Sequence, residues 1–267
     1  MKTKNQVCIA IMICSIMLLS IDSIAQAQTY SKRPEWSQEF SSLWRRPLKN
    51  WNQTFRNAPS GKAFFTDSIG NVFVKNGVLH IKATADKRSN KECSSGYVST
   101  LNYKAFKYGK LELKAKVPTG KGIFPAIWLL QDSDGPALQY GEIDLMEYIE
   151  CFEGKEFATT IHLNYRSDIS SKRQVYTHTT RCKTDIDKYH IYGVEWTPDS
   201  LTFTLDQKSY YTLYKSESEF WPFDEPYILI LDVEYGSWGA SCGMDDSIFP
   251  REMIIDWIRY YPLIDKE

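Results

Sequence analysis

The chain has 267 residues, 43% hydrophobic and 14% aromatic, with a formal net charge of −1. That length suits one large domain with a real core, and the charge balance gives no electrostatic reason to expect nucleic acid or an anionic membrane as partner. A neutral polysaccharide suits an aromatic-rich chain whose charges nearly balance.

The chain opens with Lys2 and Lys4, an apolar run from Val7 to Leu19, and the small-residue site Ala25-Gln26-Ala27. Basic start, apolar centre and A-x-A site form the order of a secretory signal peptide. The run is shorter than the roughly 20 residues that span a bilayer. Residues 1–27 are therefore expected to be a cleaved leader, with 28–267 a single exported domain, secreted, periplasmic or at the cell surface. A monomer is expected. Export leaves Cys93, Cys151, Cys182 and Cys242 in an oxidising compartment, where disulfides form. Four cysteines allow three connectivities. A hairpin count puts Cys151 and Cys182 at the same end of adjacent strands, favouring Cys151–Cys182 and leaving Cys93 for Cys242. No C-x-x-C pair points to structural zinc.

From there the pattern is one of strands. Val72–Val74 and Leu79–Ala83 flank Asn76-Gly77, a hairpin turn signal. Between 110 and 117, Leu111, Leu113, Ala115 and Val117 alternate with Lys110, Glu112, Lys114 and Lys116, the period of a half-buried strand. Ile123–Leu130, Tyr189–Trp196, Leu201–Leu205, Tyr227–Val233 and Met253–Tyr261 continue it, with a tight turn at Thr197-Pro198-Asp199-Ser200. A short helical turn fits Ser216–Phe223, and no long stretch has a helical period. Many short strands with regular turns predict an all-β sandwich of antiparallel sheets, a jelly roll.

One strand breaks its own pattern. Gly141-Glu142-Ile143-Asp144-Leu145-Met146-Glu147-Tyr148 carries three carboxylates in six residues. Alternation puts Glu142 and Asp144 on one face and sends Glu147 to the other. A β-bulge absorbing one residue near Met146 would return Glu147 to the first face. A solvated acidic edge is the plain alternative. Against it stand Trp128, in the apolar run 122–130, and His162, in Thr160-Ile161-His162, on neighbouring strands. Two carboxyls about 5–5.5 Å apart are what a retaining glycosidase requires, one as nucleophile and one as acid then base. Asp144 between them would raise a neighbour's pKa by like charge.

These blocks resemble glycoside hydrolase family 16. The resemblance lies in Gly-Ile-Phe-Pro-Ala-Ile-Trp-Leu-Leu at 122–130, Gly-Glu-Ile-Asp-Leu-Met-Glu-Tyr at 141–148, Val-Glu-Trp-Thr-Pro-Asp at 194–199, and a closing segment with Phe249-Pro250 and Ile255-Asp256-Trp257-Ile258-Arg259-Tyr260-Tyr261. It implies a jelly roll with a concave cleft and a double-displacement mechanism. Glu142 would be the nucleophile, Asp144 its assisting carboxylate and Glu147 the acid/base, in the bulged, laminarinase-like form. No cofactor is implied for catalysis. The resemblance also implies a structural calcium on Glu39, Gly77 and Asp256, a set of oxygen donors suited to that ion. Three segments depart from the laminarinase-like pattern: Ala137-Leu138-Gln139-Tyr140, Arg56 to Lys62, and Leu231-Asp232-Val233. They leave β-1,3- or mixed-linkage glucan, the substrate favoured, in competition with β-galactosidic glycans such as poly-N-acetyllactosamine on host mucin O-glycans or an algal galactan.

Trp128, His162 and Trp238 are the expected substrate-binding residues: Trp128 as a stacking surface, His162 as a hydrogen-bonding group, Trp238 on the glycine-flanked loop 236–239. Trp196 is expected in the core. Two rival functions remain open, a lectin-like sugar-binding module and a transglycosylase using the same intermediate.

Overall fold

The computed structural model describes residues 30–54, 56–58, 61–86, 92–132, 139–166 and 171–264. The expected leader, residues 1–27, lies outside them. Among the described residues no helix is long and apolar enough to cross a membrane.

Eighteen strands are described. The first half holds β1 (Trp36–Gln38), β2 (Asn52–Gln53), β3 (Arg56–Asn57), β4 (Ala63–Phe65), β5 (Val72–Lys75), β6 (Val78–Ala85), β7 (Cys93–Ser95), β8 (Tyr97–Ser99) and β9 (Gly109–Lys116). The second holds β10 (Ile123–Gln131), β11 (Gln139–Glu147), β12 (Glu156–Arg166), β13 (Ser171–Arg181), β14 (His190–Thr197), β15 (Ser200–Leu205), β16 (Lys208–Tyr214), β17 (Tyr227–Tyr235) and β18 (Arg251–Tyr261). One sheet runs β16-β15-β14-β9-β18-β6-β7-β4-β3, with β1 on β18 and β5 on β6; the other runs β13-β12-β11-β10-β17-β8-β2. Among the described strands every pairing is antiparallel except β4 with β7. This is the two-sheet sandwich expected from the strand pattern.

Alternation decides what fills the space between the sheets. Leu111, Leu113 and Ala115 of β9, Val194 and Trp196 of β14, and Ile255 of β18 meet Ile127 and Leu129 of β10, Ile143 of β11, Ile161 and Leu163 of β12, and Leu229 and Leu231 of β17 in one buried cluster. Each such aliphatic side chain contributes about 1.5–3 kcal/mol by leaving water. Trp196 is in this core, as expected, and its indole N–H donates to the Phe223 carbonyl (3.0 Å). Asn76 and Gly77 form the β5–β6 turn, both with positive φ (52° and 79°). That is the geometry a two-residue hairpin needs to match strand twist. The helical turn expected within 216–223 is a single 3-10 turn at Lys215–Glu217.

The disulfide differs from expectation. Cys151 is joined to Cys242 with Cα atoms 5.5 Å apart, and Cys93 and Cys182 are buried thiols. Counting residues along hairpins missed the 3-10 turn Glu150–Phe152, which follows β11 and packs against the 3-10 segment Ser237–Cys242. Cys182 lies past the end of β13, its N–H bonded to the Lys155 carbonyl. The bridge thus ties the end of the acid-bearing strand to the loop after β17.

Candidate active site

The strand with three acids is β11, flanked by β10 and β12. On β10, Ile127 pairs with Met146 but Trp128 pairs with Asp144; on β12, Thr160 pairs with Asp144 and Ala158 with Glu147. One residue of β12, Thr159, therefore faces two of β11. This is the bulge expected near Met146. Leu145 and Met146 are both buried, and the Thr159 hydroxyl donates to the Leu145 carbonyl (3.1 Å), holding the irregular turn of backbone. A bulge inserts one residue and re-aims the side chains beyond it. Here it delivers Glu147 to the face already holding Glu142 and Asp144, and all three line one cleft.

Most of the remaining lining comes from the same face of the seven-stranded sheet, and Phe65 of β4 from the other sheet. Phe124, Ala126 and Trp128 of β10, Asp232 and Glu234 of β17, Tyr97 of β8 and Phe65 complete the lining. The Trp128 indole N–H donates to Asp232 Oδ2 (2.9 Å), and its ring meets Tyr97 edge-on. Trp128 is therefore held as a fixed wall. Gly141 is required by packing: a Cβ there would lie 2.0 Å from Tyr227 Oη. That explains a glycine immediately before Glu142. Gly61, in the N-terminal segment that departs from the laminarinase-like pattern, bridges to Gly236, and a Cβ on it would strike Glu234.

Electrostatics follow from crowding acids in a dry place. Burial, then the charge of Glu147, pushes Glu142 up to about 7, partly opposed by Arg173. Burial, then Glu147, Glu142 and Asp232, raises Asp144 well above the usual range. Burial also raises Glu147, partly opposed by the Thr160 hydroxyl, which donates to its Oε2 (2.7 Å). Like charges at close range in low dielectric cannot all ionise, so protons are shared within the group.

His162 stands beside them on β12. Its Nε2 is 3.2 Å from Asp144 Oδ2 and 3.6 Å from Glu142 Oε1, and its Nδ1 is 3.0 Å from an Arg173 nitrogen. Burial, then Arg173, lowers its pKa to about 4, so it is neutral in ordinary conditions. Trp238 does not line the cleft itself. It packs edge-on against Phe124, which does, and against Phe152 beside the disulfide. Reading by residue type missed Phe65, Tyr97, Phe124, Thr160, Asp232 and Glu234. Phe124 shares the alternation of Trp128, and Asp232 stands out as an acid inside an apolar strand; both signals are in the sequence. Tyr97 and Phe65 come from short strands brought in only by the fold.

The three residues expected to hold calcium do not present a cation site. Both carboxylate oxygens of Glu39 accept from Arg259 (2.9 and 3.0 Å), and Asp256 pairs with Lys114 at 2.8 Å. Positive side chains thus already pair with both Glu39 oxygens and with one Asp256 oxygen. Among the described residues, three His, Cys, Asp or Glu ligand atoms converge only at Glu142, Asp144 and His162, which is the cleft cluster itself.

A family model, that of the glycosyl hydrolases family 16, matches residues 61–259. A β-glucanase of Rhodothermus marinus is 31% identical over 210 residues, covering 74% of this chain and 72% of that protein. A keratan-sulfate endo-1,4-β-galactosidase of Sphingobacterium multivorum is 25% identical over 239 residues, 85% of this chain and 54% of that protein. Among solved structures, the laminarinase of Rhodothermus marinus superposes with a TM-score of 0.78 at 26% identity, covering 90% of this chain and all of that one.

Proposed function

The chain belongs to glycosyl hydrolases family 16, and on that footing we propose that it is an exported, retaining endo-β-glycosidase acting on β-1,3- or mixed-linkage glucan. One observation carries the reading: the Leu145–Met146 bulge sets Glu142 and Glu147 on the same cleft wall. The named activities of the β-glucanase and laminarinase relatives support glucan. Export rests on the basic, apolar and A-x-A order of residues 1–27, and a monomer is part of the same proposal.

The chemistry runs in two displacements. Glu142, as carboxylate, attacks the anomeric carbon while the bond to the leaving oxygen breaks and Glu147 gives that oxygen its proton. Water then attacks the same carbon, Glu147 takes the water's proton, and Glu142 leaves as carboxylate. Burial of three acids together supplies the protonation this needs. The cluster shares its protons, and the double displacement takes the form with Glu142 ionised and Glu147 protonated; the Arg173 charge acts on Glu142 in that direction, against the larger rise from burial. Asp144, whose pKa is the most firmly raised of the cluster, keeps its own proton and is a hydrogen-bond donor to a neighbouring oxygen. Trp128 and Tyr97 offer aromatic surface to sugar rings. No calcium enters this reading, because Arg259 and Lys114 neutralise Glu39 and Asp256.

A second substrate reading, an endo-β-galactosidase on poly-N-acetyllactosamine or algal galactan, has two supports. One is the similarity to the keratan-sulfate enzyme; the other is Asp232, at a departure from the laminarinase-like pattern, bound to the cleft tryptophan. Laminarin, lichenan, a keratan-type glycan and agarose, each followed by product length and by the anomeric configuration of the first product, separate the readings. Oligosaccharides released from laminarin with β-configuration are expected. First products of α-configuration rule out the double displacement, release of monosaccharide alone rules out endo action, and binding without turnover on every glycan indicates a lectin-like module.

A further inference from the structure

We propose that Arg173, on the edge strand β13, is a positioning residue that fixes the His162 imidazole in its Nε2–H tautomer and so aims one N–H at the Asp144 and Glu142 carboxyls. The inference rests on the glycosidase reading of the same cleft and adds a residue to it. Arg173 pairs in register with Asn164, and His162 with Val175. Arg173 is thus the diagonal neighbour of His162 on the cleft face, within reach of a long side chain.

The donor inventory settles the tautomer. A guanidinium carries only N–H donors and no acceptor. The 3.0 Å contact between Arg173 and His162 Nδ1 therefore requires Nδ1 to accept, and in a neutral ring the proton then sits on Nε2. That nitrogen is the one facing Asp144 Oδ2 at 3.2 Å and Glu142 Oε1 at 3.6 Å. Asp144 Oδ2 is buried and has no fully aligned hydrogen bond. The imidazole N–H is the donor placed to meet it once the cleft tightens on a sugar, as catalytic hydrogen bonds often do. The opposite tautomer would leave the arginine facing an N–H.

Removing Arg173 has a second consequence through charge. The groups facing His162 are Glu142 and Asp144 on β11 and Arg173 on β13, with Thr160 and Asn164 on its own strand; Glu147 and Asp232 act in turn on Asp144. Without the arginine, the ring faces carboxyls alone and gains a proton more readily. An imidazolium there would alter the charge on the carboxyl expected to attack the sugar.

Nitrogen-15 NMR of the intact chain tests this. The protein has four histidines, and His162→Gln identifies the resonances of the one concerned. The wild type is expected to show the proton on Nε2, with no second protonation down to about pH 5. Arg173→Met is expected to mix the tautomers or protonate the ring between about pH 5 and 7, and to lower kcat about tenfold with KM within about twofold. Arg173→Lys, which still donates, is expected to recover the Nε2–H form and part of kcat. In a His162→Gln background, Arg173→Met is expected to cost no further kcat. An Nδ1–H ring in the wild type, an unchanged ring or unchanged kcat in Arg173→Met, or a full additional loss in the double variant would each overturn the assignment. The tautomer is read without substrate. A chain inactive on every glycan would therefore defeat the glycosidase reading, while the NMR result would still decide the role of Arg173.

Discussion

Replacing Thr160 by Val removes one hydroxyl and keeps the β-branched shape that suits β12. In the native cleft that hydroxyl donates to Glu147 Oε2 at 2.7 Å, a short bond to a half-buried carboxyl. A hydrogen bond to a charged group contributes about 1.5–3 kcal/mol. One pKa unit corresponds to about 1.4 kcal/mol, which gives a range of roughly one to two units. The hydroxyl also binds the protonated acid, less tightly, so the lower end applies. Its effect in the native protein is to lower the Glu147 pKa against the larger rise from burial. Thr160→Val therefore raises it. Glu147 acts first as an acid, so activity on the alkaline side persists to higher pH. The expected result is an alkaline limb of kcat/KM on laminarin displaced upward by about one unit, with a loss at the optimum of no more than about tenfold. Circular dichroism and the melting temperature check that the fold is kept. An alkaline limb that stays in place or moves downward, in a folded variant, would refute the assignment of Glu147 as the proton donor.

Three further outcomes are expected. Glu142→Gln abolishes turnover while retaining oligosaccharide binding by calorimetry. It also stabilises the protein at high pH. The folded pKa of Glu142 is raised from 4.5 to about 7, so its contribution is complete below about pH 4 and is lost as pH rises through 7. At about 1.4 kcal/mol per unit, the variant gains roughly 3 kcal/mol at pH 8 and nothing at pH 4, and equal melting temperatures of both proteins at pH 8 would refute the shift. Cys242→Ser opens a bridge spanning 91 residues; loop entropy predicts a loss of about 4–5 kcal/mol at most, read as a fall of roughly 10–15 °C in melting temperature. A protein with unchanged melting that gains no reducible bridge would show that Cys151 and Cys242 are not joined. Excess calcium or a chelator leaves the melting temperature unchanged, because an ion bound at a hundred times its Kd would add about 2.7 kcal/mol, a shift easily seen.

The division between sequence and fold is clearest on β11. Alternation in the sequence places Glu142 and Asp144 together and counts Glu147 as one residue out of phase, which is enough to require an irregularity near Met146. Where the extra residue sits depends on Thr159 of the next strand, whose hydroxyl holds the Leu145 carbonyl, and no local pattern on β11 specifies that partner. The sandwich itself was legible throughout, because period-two burial in Lys110–Val117 or Ile123–Leu130 needs no knowledge of the neighbours. Trp196 and Trp128 were separable by the same rule.

Pairings between distant segments were decided only by the tertiary structure. Cys151 finds Cys242 because a 3-10 turn after β11 aims it at the loop following β17, and chain separation is blind to such a turn. Glu39 and Asp256 are carboxylates suited to calcium by type, yet Arg259 and Lys114 reach them first. Arg173 carries no motif at all and matters only by lying diagonal to His162 across β12 and β13. Side-chain period is a local property that a chain writes out in order, whereas the partner of a charge or a thiol is fixed by which strands the closing of two sheets brings side by side.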